Sequence, residues 1–137
     1  MSNFISVANG NLSASSSWAT VDATSLLDSE TANTTLTTSF ALSSAFTPGA
    51  ITVDGIAVKI ASVAASPSGT INVALDTGGS TVTGTDVQIN VADLPQGDTT
   101  NNQGGWVFFK FASPVLLLAA TAYKVKAKTS ASNMVNL

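Results

Sequence analysis

The sequence of 137 residues has no cysteine, no histidine and no arginine. Without cysteine there is neither a disulfide framework nor a thiolate metal site. Without histidine the chain lacks the commonest general base and the commonest transition-metal ligand. Arginine is the side chain that best makes bidentate contacts to phosphate and guanine. Because only five lysines stand against eight acids, for a net charge of −3, we expect no nucleic-acid partner.

Charge of either sign is scarce: 9% of the residues are charged, against roughly 25% in typical soluble domains. In place of charged residues the chain has 18 serines and 18 threonines. They predict a hydroxyl-rich surface like those of extracellular and particle-bound β proteins. Yet the N-terminal ten residues lack the basic and apolar regions of a secretory signal. A virion component, made in the cytoplasm and released by lysis, reconciles the two observations. A shortened piece of a longer protein reconciles them as well.

Long apolar runs are also missing. The longest, residues 114–120, is far too short to span a bilayer, so we expect no membrane partner. What the sequence does contain is strict alternation, most clearly between Gly105 and Thr129. In residues 106–111 the pattern predicts a strand with an apolar face of Val107, Phe109 and Phe111 and an opposite face of Trp106, Phe108 and Lys110.

Residues 123–128 alternate more strictly still. The pattern predicts that Tyr123, Val125 and Ala127 face a core and that three lysines stand in a row on the other face. Upstream, residues 71–76 predict another half-buried strand. The apolar pattern of residues 51–60 changes face at Asp54-Gly55, which favours a β-bulge over a hairpin turn.

About eight short strands of this kind, with no sustained helical period, predict an all-β protein: an antiparallel β-sandwich, of the jelly-roll type. All four prolines lie between the predicted strands, as expected for a residue that cannot donate to a β-ladder. We expect one domain, in which residues 1–48 form Ser/Thr-rich N-terminal strands or an arm and residues 49–137 form the sandwich core. Leu36, Phe40, Leu42 and Phe46, all at even positions, are predicted to share one face.

Four short segments occur in an order that matches a known domain: residues 67–70 (PSGT), 91–95 (VADLP), 105–109 (GWVFF) and 114–115 (PV). In these segments the chain resembles a jelly-roll domain of phage particle proteins and bacterial surface proteins, of the anchor-associated, carbohydrate-binding-like group. Ala120 departs from the pattern, which has glycine there. The resemblance covers a little over half of the chain. Because its motifs mark structural corners, it implies a fold and says little about a ligand.

For catalysis the sequence leaves only paired carboxylates, as in glycoside hydrolysis. The candidates in or beside loops are Asp76, Asp93 and Asp98, but loop aspartates usually bond nearby backbone amides. A calcium site would use Asp93 and Asp98 with carbonyls of the loop 95–104, yet no dense acidic run supports one. We therefore expect no enzyme, no cofactor and no bound metal.

Five residues are candidates for contact with a partner or a glycan: Trp18, Trp106, Lys124, Lys126 and Lys128. An exposed indole stacks on the apolar face of a sugar, although tryptophan in a small sandwich more often lies in a core or an interface. The lysine row is read either as a solvated strand face that deters aggregation or as a contact with an acidic neighbour.

These observations predict a non-enzymatic structural protein of a virus particle. It would be a phage capsid decoration, an adaptor or a fibre-base module, located on the extracellular particle. It would act by protein–protein assembly, as a homo-oligomer and with other virion proteins. The alternative is a carbohydrate-binding or cell-surface adhesion module that recognises a surface glycan.

Overall fold

The computed structural model of the protein describes residues 3–6, 18–21, 35–43, 45–95 and 105–137. These ranges contain eleven β-strands, four of them only two residues long. The strands are β1 (Asn3–Ser6), β2 (Trp18–Val21), β3 (Ala41–Leu42), β4 (Ile51–Ile60), β5 (Ser62–Val63), β6 (Thr70–Thr77), β7 (Ser80–Thr81), β8 (Val87–Asn90), β9 (Gly105–Leu117), β10 (Lys124–Thr129) and β11 (Val135–Asn136).

The strands pair antiparallel in four groups. The largest is a five-stranded sheet with the order β3-β10-β6-β7, in which β8 also pairs with β6. The long strands β4 and β9 form a two-stranded ribbon, and β5 pairs with β11. β1 and β2 form a separate pair, in which Trp18 lies opposite Ser6.

The core lies between the five-stranded sheet and the inner face of the β4–β9 ribbon. β-branched and aromatic residues dominate these strands, as expected for side chains that pack on a pleated surface. The sheet and the ribbon contribute to one hydrophobic cluster, which includes Ile56, Val58, Ile60, Ile71, Val73, Leu75, Phe109, Phe111 and Ala127. The predicted facing of residues 106–111 is confirmed, because Phe109 and Phe111 are buried and Trp106, Phe108 and Lys110 are exposed.

The ribbon has a register shift at the position where the sequence changes face. Val53 is paired with Val115, whereas Gly55 is paired with Lys110. The predicted irregularity at Asp54-Gly55 is therefore present, but most of the extra residues belong to β9, where residues 111–114 have no partner on β4. Pro114 lies inside β9, so the prediction that all four prolines lie between strands is wrong. A proline is tolerated there because the unpaired segment needs no ladder hydrogen bond from it.

β6 is buried on both faces, which corrects the prediction of a half-buried strand. All residues from Ile71 to Asp76 are buried. The strand lies in the middle of the sheet, with β10 on one side and β7 and β8 on the other. Its polar side chains are held by hydrogen bonds within this arrangement: Asn72 Nδ2 donates to Asp86, and Asp76 pairs with a lysine of β10.

Residues 36–46 do not form the single-faced segment that the even spacing predicts. Leu36 is fully buried in the core, whereas Phe40 and Leu42 are exposed. Among the described residues of this segment only Ala41 and Leu42 form a strand, and Phe46 makes an isolated bridge to Tyr123. Because the backbone is extended in short pieces only, a period of two does not continue across the segment. Leu36 nevertheless belongs to the core, and β3 pairs with β10 in the large sheet.

Within the described ranges the protein is all-β, with antiparallel sheets in a sandwich-like arrangement, as predicted. The helical content of these ranges is the 3-10 helix Val91–Asp93. None of the described residues belong to a helix long and apolar enough to cross a membrane.

Candidate functional site

The outer face of the β4–β9 ribbon carries two aromatic side chains. Because residues directly opposite each other in an antiparallel pair point to the same face, the register defines this surface. Lys59 is paired with Trp106, Ala57 with Phe108, and Gly55 with Lys110. We call these six residues the aromatic face. Ile56, Val58 and Phe109, which alternate with them, point the other way, into the core, whereas Asp54, next to Gly55 at the register shift, is exposed.

Trp106 and Phe108 are unusually exposed for their size. Trp106 is 66% exposed and Phe108 is 45% exposed. They stand two residues apart on β9, so their rings project from the same side of the strand. An apolar surface of this kind on a small protein usually marks an interaction site, because exposed apolar area is unfavourable in water unless a partner covers it.

The Phe108 ring lies against Gly55, the glycine of the aromatic face. A Cβ atom built on Gly55 would lie 2.7 Å from Phe108 Cζ and 2.5 Å from the carbonyl oxygen of Phe109. Glycine at this position therefore lets β9 approach β4 closely at the register shift and lets the ring rest on the backbone. The ring is thus supported from below while its outer side is open to solvent.

Two lysines flank the aromatic rings. Lys59 lies beside Trp106, and Lys110 follows Phe108 on β9; both are exposed. Lys59 is four residues from Gly55, the partner of Lys110, which places the two lysines about 13 Å apart along the ribbon. In the described part of the chain the one ion pair joins Lys126 and Asp76. Neither Lys59 nor Lys110 therefore has a carboxylate partner among the described residues, although Asp54 is close in sequence.

The predicted lysine row on β10 is not a solvated face. Lys126 is buried and its Nζ lies 3.2 Å from Asp76 Oδ2. The Phe40 ring covers the row, with Lys126 Nζ 4.7 Å and Lys128 Nζ 4.5 Å from its centroid. Lys124 is half-buried. The reading as a solvated face is wrong because β10 lies between β3 and β6, and Phe40, just before β3, extends over it.

Lys124 contributes to a shallow cavity of about 210 Å³ beside this row. The lining also includes Asp76, Leu42 and Ala122. The Asp76 carboxylate in this lining already accepts hydrogen bonds from Lys126 and from the amide of Gly79. The cavity therefore offers the ammonium group of Lys124, which has no ion partner among the described residues, but its described lining has no pair of free polar groups to orient a ligand.

The acidic candidates for chemistry are engaged in the fold. Asp76 is paired with Lys126, and the Oδ2 atom of Asp93 accepts a hydrogen bond of 3.2 Å from Asn90. Asp98 and its loop lie outside the described residues. Among the residues that the structure describes, no three acidic side chains come together as a metal site would require.

The structure thus divides the five predicted contact residues into three groups. Trp106 lies on the open aromatic face, while the three lysines of β10 form a covered row elsewhere. Trp18 lies in β2, and its side chain is outside the part of the chain that the structure describes. Sequence reasoning missed Lys59 as a neighbour of Trp106. The alternation in β4 points Lys59 outward, but only the register places it beside the indole.

Comparisons with protein-family models, with curated proteins and with solved structures find no match to this chain. The function therefore has to be argued from the aromatic face and from the composition.

Proposed function

We propose that this protein is a non-enzymatic structural protein that acts by protein–protein assembly on a virus particle, as a phage capsid decoration, an adaptor or a fibre-base module. The observation that carries the proposal is the exposure of Trp106 and Phe108 side by side on the ribbon. Tryptophan is the residue most enriched at the energetic centres of protein interfaces, where a neighbouring subunit removes it from water. The fold that goes with this proposal is the jelly roll.

The composition of the surface supports assembly. Hydroxyl groups pack against neighbouring subunits without the large desolvation cost of charges, and this chain has 36 serine and threonine residues but only 13 charged ones. A symmetric particle presents many copies of the same site. Weak single contacts then add up to strong attachment.

The particle itself provides the test. Particles would be released by lysing cells in which the gene is expressed from its own genome. They would be purified on a density gradient and analysed by quantitative mass spectrometry. We expect the chain in the particle fraction, and we expect a W106A/F108S variant to be largely lost from it. Absence of the wild-type chain from purified particles would overturn the proposal.

A matched control separates assembly from folding. Leu116 is also exposed on β9 but lies beyond the register shift, outside the aromatic face. A Leu116→Ser variant therefore removes exposed apolar surface from the same strand, and we expect it to remain on the particle. Circular dichroism of all three purified proteins would show that each is folded.

Glycan recognition is the second candidate, and the open indole of Trp106 is the observation that favours it. However, the neighbours of Trp106 on the face are Lys59 and Phe108, and none of the six residues offers an amide or carboxylate to bind sugar hydroxyls. A glycan array with the wild-type chain and Trp106→Ala and Trp18→Ala variants distinguishes the two functions. Specific binding that Trp106→Ala abolishes would favour adhesion.

A further inference from the structure

The charges of the chain are distributed unevenly between the aromatic face and the rest of the protein. The face holds two of the five lysines and none of the eight acids, so it carries a charge of +2. Outside the face, the described residues hold three lysines and four acids, for a net charge of −1, and two of these acids, Asp86 and Asp93, are exposed and form no ion pair with a described residue. A second copy therefore presents a surface of opposite charge to the face, and complementary charge favours encounter and fixes orientation.

We propose that the aromatic face binds a second copy of this chain in a head-to-tail contact, at the acidic edge of β8. This inference rests on the proposed assembly function and names the partner. The acidic edge consists of Asp86, Gln88, Asn90 and Asp93, all of which are exposed.

The acidic edge has the properties that such a contact needs. β8 pairs with β6 and with no other strand among the described residues, so its second edge is open. Neither Asp86 nor Asp93 forms an ion pair within the described chain. Their carboxylates instead accept hydrogen bonds from Asn72 and Asn90, which hold them in place. The Asp93 carboxylate is held at Asn90, four residues after Asp86, so the two carboxylates lie near the two ends of β8, about 13 Å apart along the strand, which is similar to the spacing of Lys59 and Lys110.

A symmetric contact of the aromatic face with itself is disfavoured by the same charges. It would bring four lysines together, with the exposed Asp54 of each copy as the one acid next to the face in sequence, and like charges in close contact are destabilising. A head-to-tail contact pairs the aromatic face of one copy with the acidic edge of another. In a pair of copies, one keeps its edge free and the other keeps its face free, so the contact produces a ring or a filament rather than a closed dimer.

Sedimentation velocity of the purified chain over a range of concentrations tests the inference. We expect the wild-type chain to self-associate, and we expect 0.5 M NaCl to weaken the association because exposed charges are screened. A K59Q/K110Q variant should weaken it by about tenfold, since exposed ion pairs contribute modestly. An A65E/S66E variant changes the net charge by the same amount at exposed residues that belong to neither surface, and it should associate like the wild type.

Charge reversal gives a stricter test. A K59E/K110E variant makes both surfaces acidic, and a D86K/D93K variant makes both basic, so each should be monomeric alone. Their mixture should associate, because every face then meets an edge of opposite charge. Asp86 accepts a hydrogen bond from the buried Asn72, so circular dichroism must show that D86K/D93K is folded. If D86K/D93K is not folded, Asp93→Lys alone is used in its place, and its expected effect is smaller.

The outcomes separate this inference from the proposed function. A chain that stays monomeric at all concentrations but occurs on particles overturns the inference and leaves the function standing. A chain that self-associates but is absent from particles supports the inference and overturns the proposed function. Equal weakening by K59Q/K110Q and A65E/S66E, or a monomer whose aromatic face binds heparin as an anionic glycan probe, also overturns the inference.

Discussion

Lys126 Nζ lies 3.2 Å from Asp76 Oδ2, and both side chains are more than nine-tenths buried. The two residues lie on neighbouring strands, one diagonal step apart, since Asp76 is directly opposite Lys124. The pair neutralises the one lysine of the β10 row that is withdrawn from water. An unpaired charge at this position would be costly, because little solvent reaches it.

Removing one partner of this pair should therefore destabilise the fold. We expect Asp76→Asn, which keeps the acceptor for the Gly79 amide, to lower the free energy of unfolding by about 3 kcal/mol. The double variant D76N/K126M should lose less, because no unpaired charge remains. Lys124→Met, on the same strand but without an ion partner in the described part of the chain, is the matched control and should cost less than about 1 kcal/mol. Urea denaturation measures all three, and equal costs for Asp76→Asn and Lys124→Met would contradict the account.

The two faces of β9 should respond differently to truncation. Phe109 is fully buried, so Phe109→Ala should cost about 3–5 kcal/mol through lost burial and a cavity. Trp106 points away from the core, and Trp106→Ala should change the unfolding free energy by only about 0.5 kcal/mol. Urea titrations followed by circular dichroism test this without relying on tryptophan fluorescence. A large cost for Trp106→Ala would mean that the indole packs inside the monomer.

The close approach of the strands at Gly55 predicts a strong effect of a single methyl group. Gly55→Ala would place a Cβ 2.5 Å from a backbone oxygen, and we expect a loss of about 1–3 kcal/mol. Gly49→Ala is the control, because nothing lies within 4 Å of its added Cβ, and the effect should be within about 0.5 kcal/mol of zero. Adding Phe108→Ala to Gly55→Ala should restore only part of the stability, since the backbone contact remains. Thermal unfolding curves of the four proteins provide the comparison.

Ala120 has a φ of 57°, in the left-handed region that favours glycine. Ala120→Gly should stabilise the protein by about 0.5–1 kcal/mol, because relief of the strain outweighs the greater freedom of the unfolded chain. Ala122→Gly, two residues later and also exposed, gains no such relief and should be destabilising by about 0.5 kcal/mol. The midpoint of urea denaturation should thus move in opposite directions for the two variants. A shift in the same direction would show that Ala120 carries no strain.

The prediction for Ala120 also concerns the family resemblance, which has glycine at this position. The sequence pattern showed that alanine stands where glycine is expected, and the positive φ of Ala120 explains why glycine would fit there. The Pro-Ser-Gly-Thr segment behaves similarly, since Gly69 has a φ of 75° and a Cβ there would meet Ser130 Oγ at 2.2 Å. Gly69 and Ala120 thus both adopt the left-handed backbone conformation, whereas residues 105–109 and 114–115 lie inside β9.

Alternation along the chain was sufficient to predict the all-β class, the long strands and the facing of residues 106–111, because side-chain direction in a strand depends only on local backbone geometry. Which residues lie opposite one another, and what covers the second face of a strand, depend on contacts between segments far apart in sequence. Phe40 over Lys128, Asp76 against Lys126 and Lys59 beside Trp106 are all of this kind. The tertiary structure therefore decided that the row of lysines is covered and that two exposed aromatic side chains stand together on the outer face of the β4–β9 ribbon.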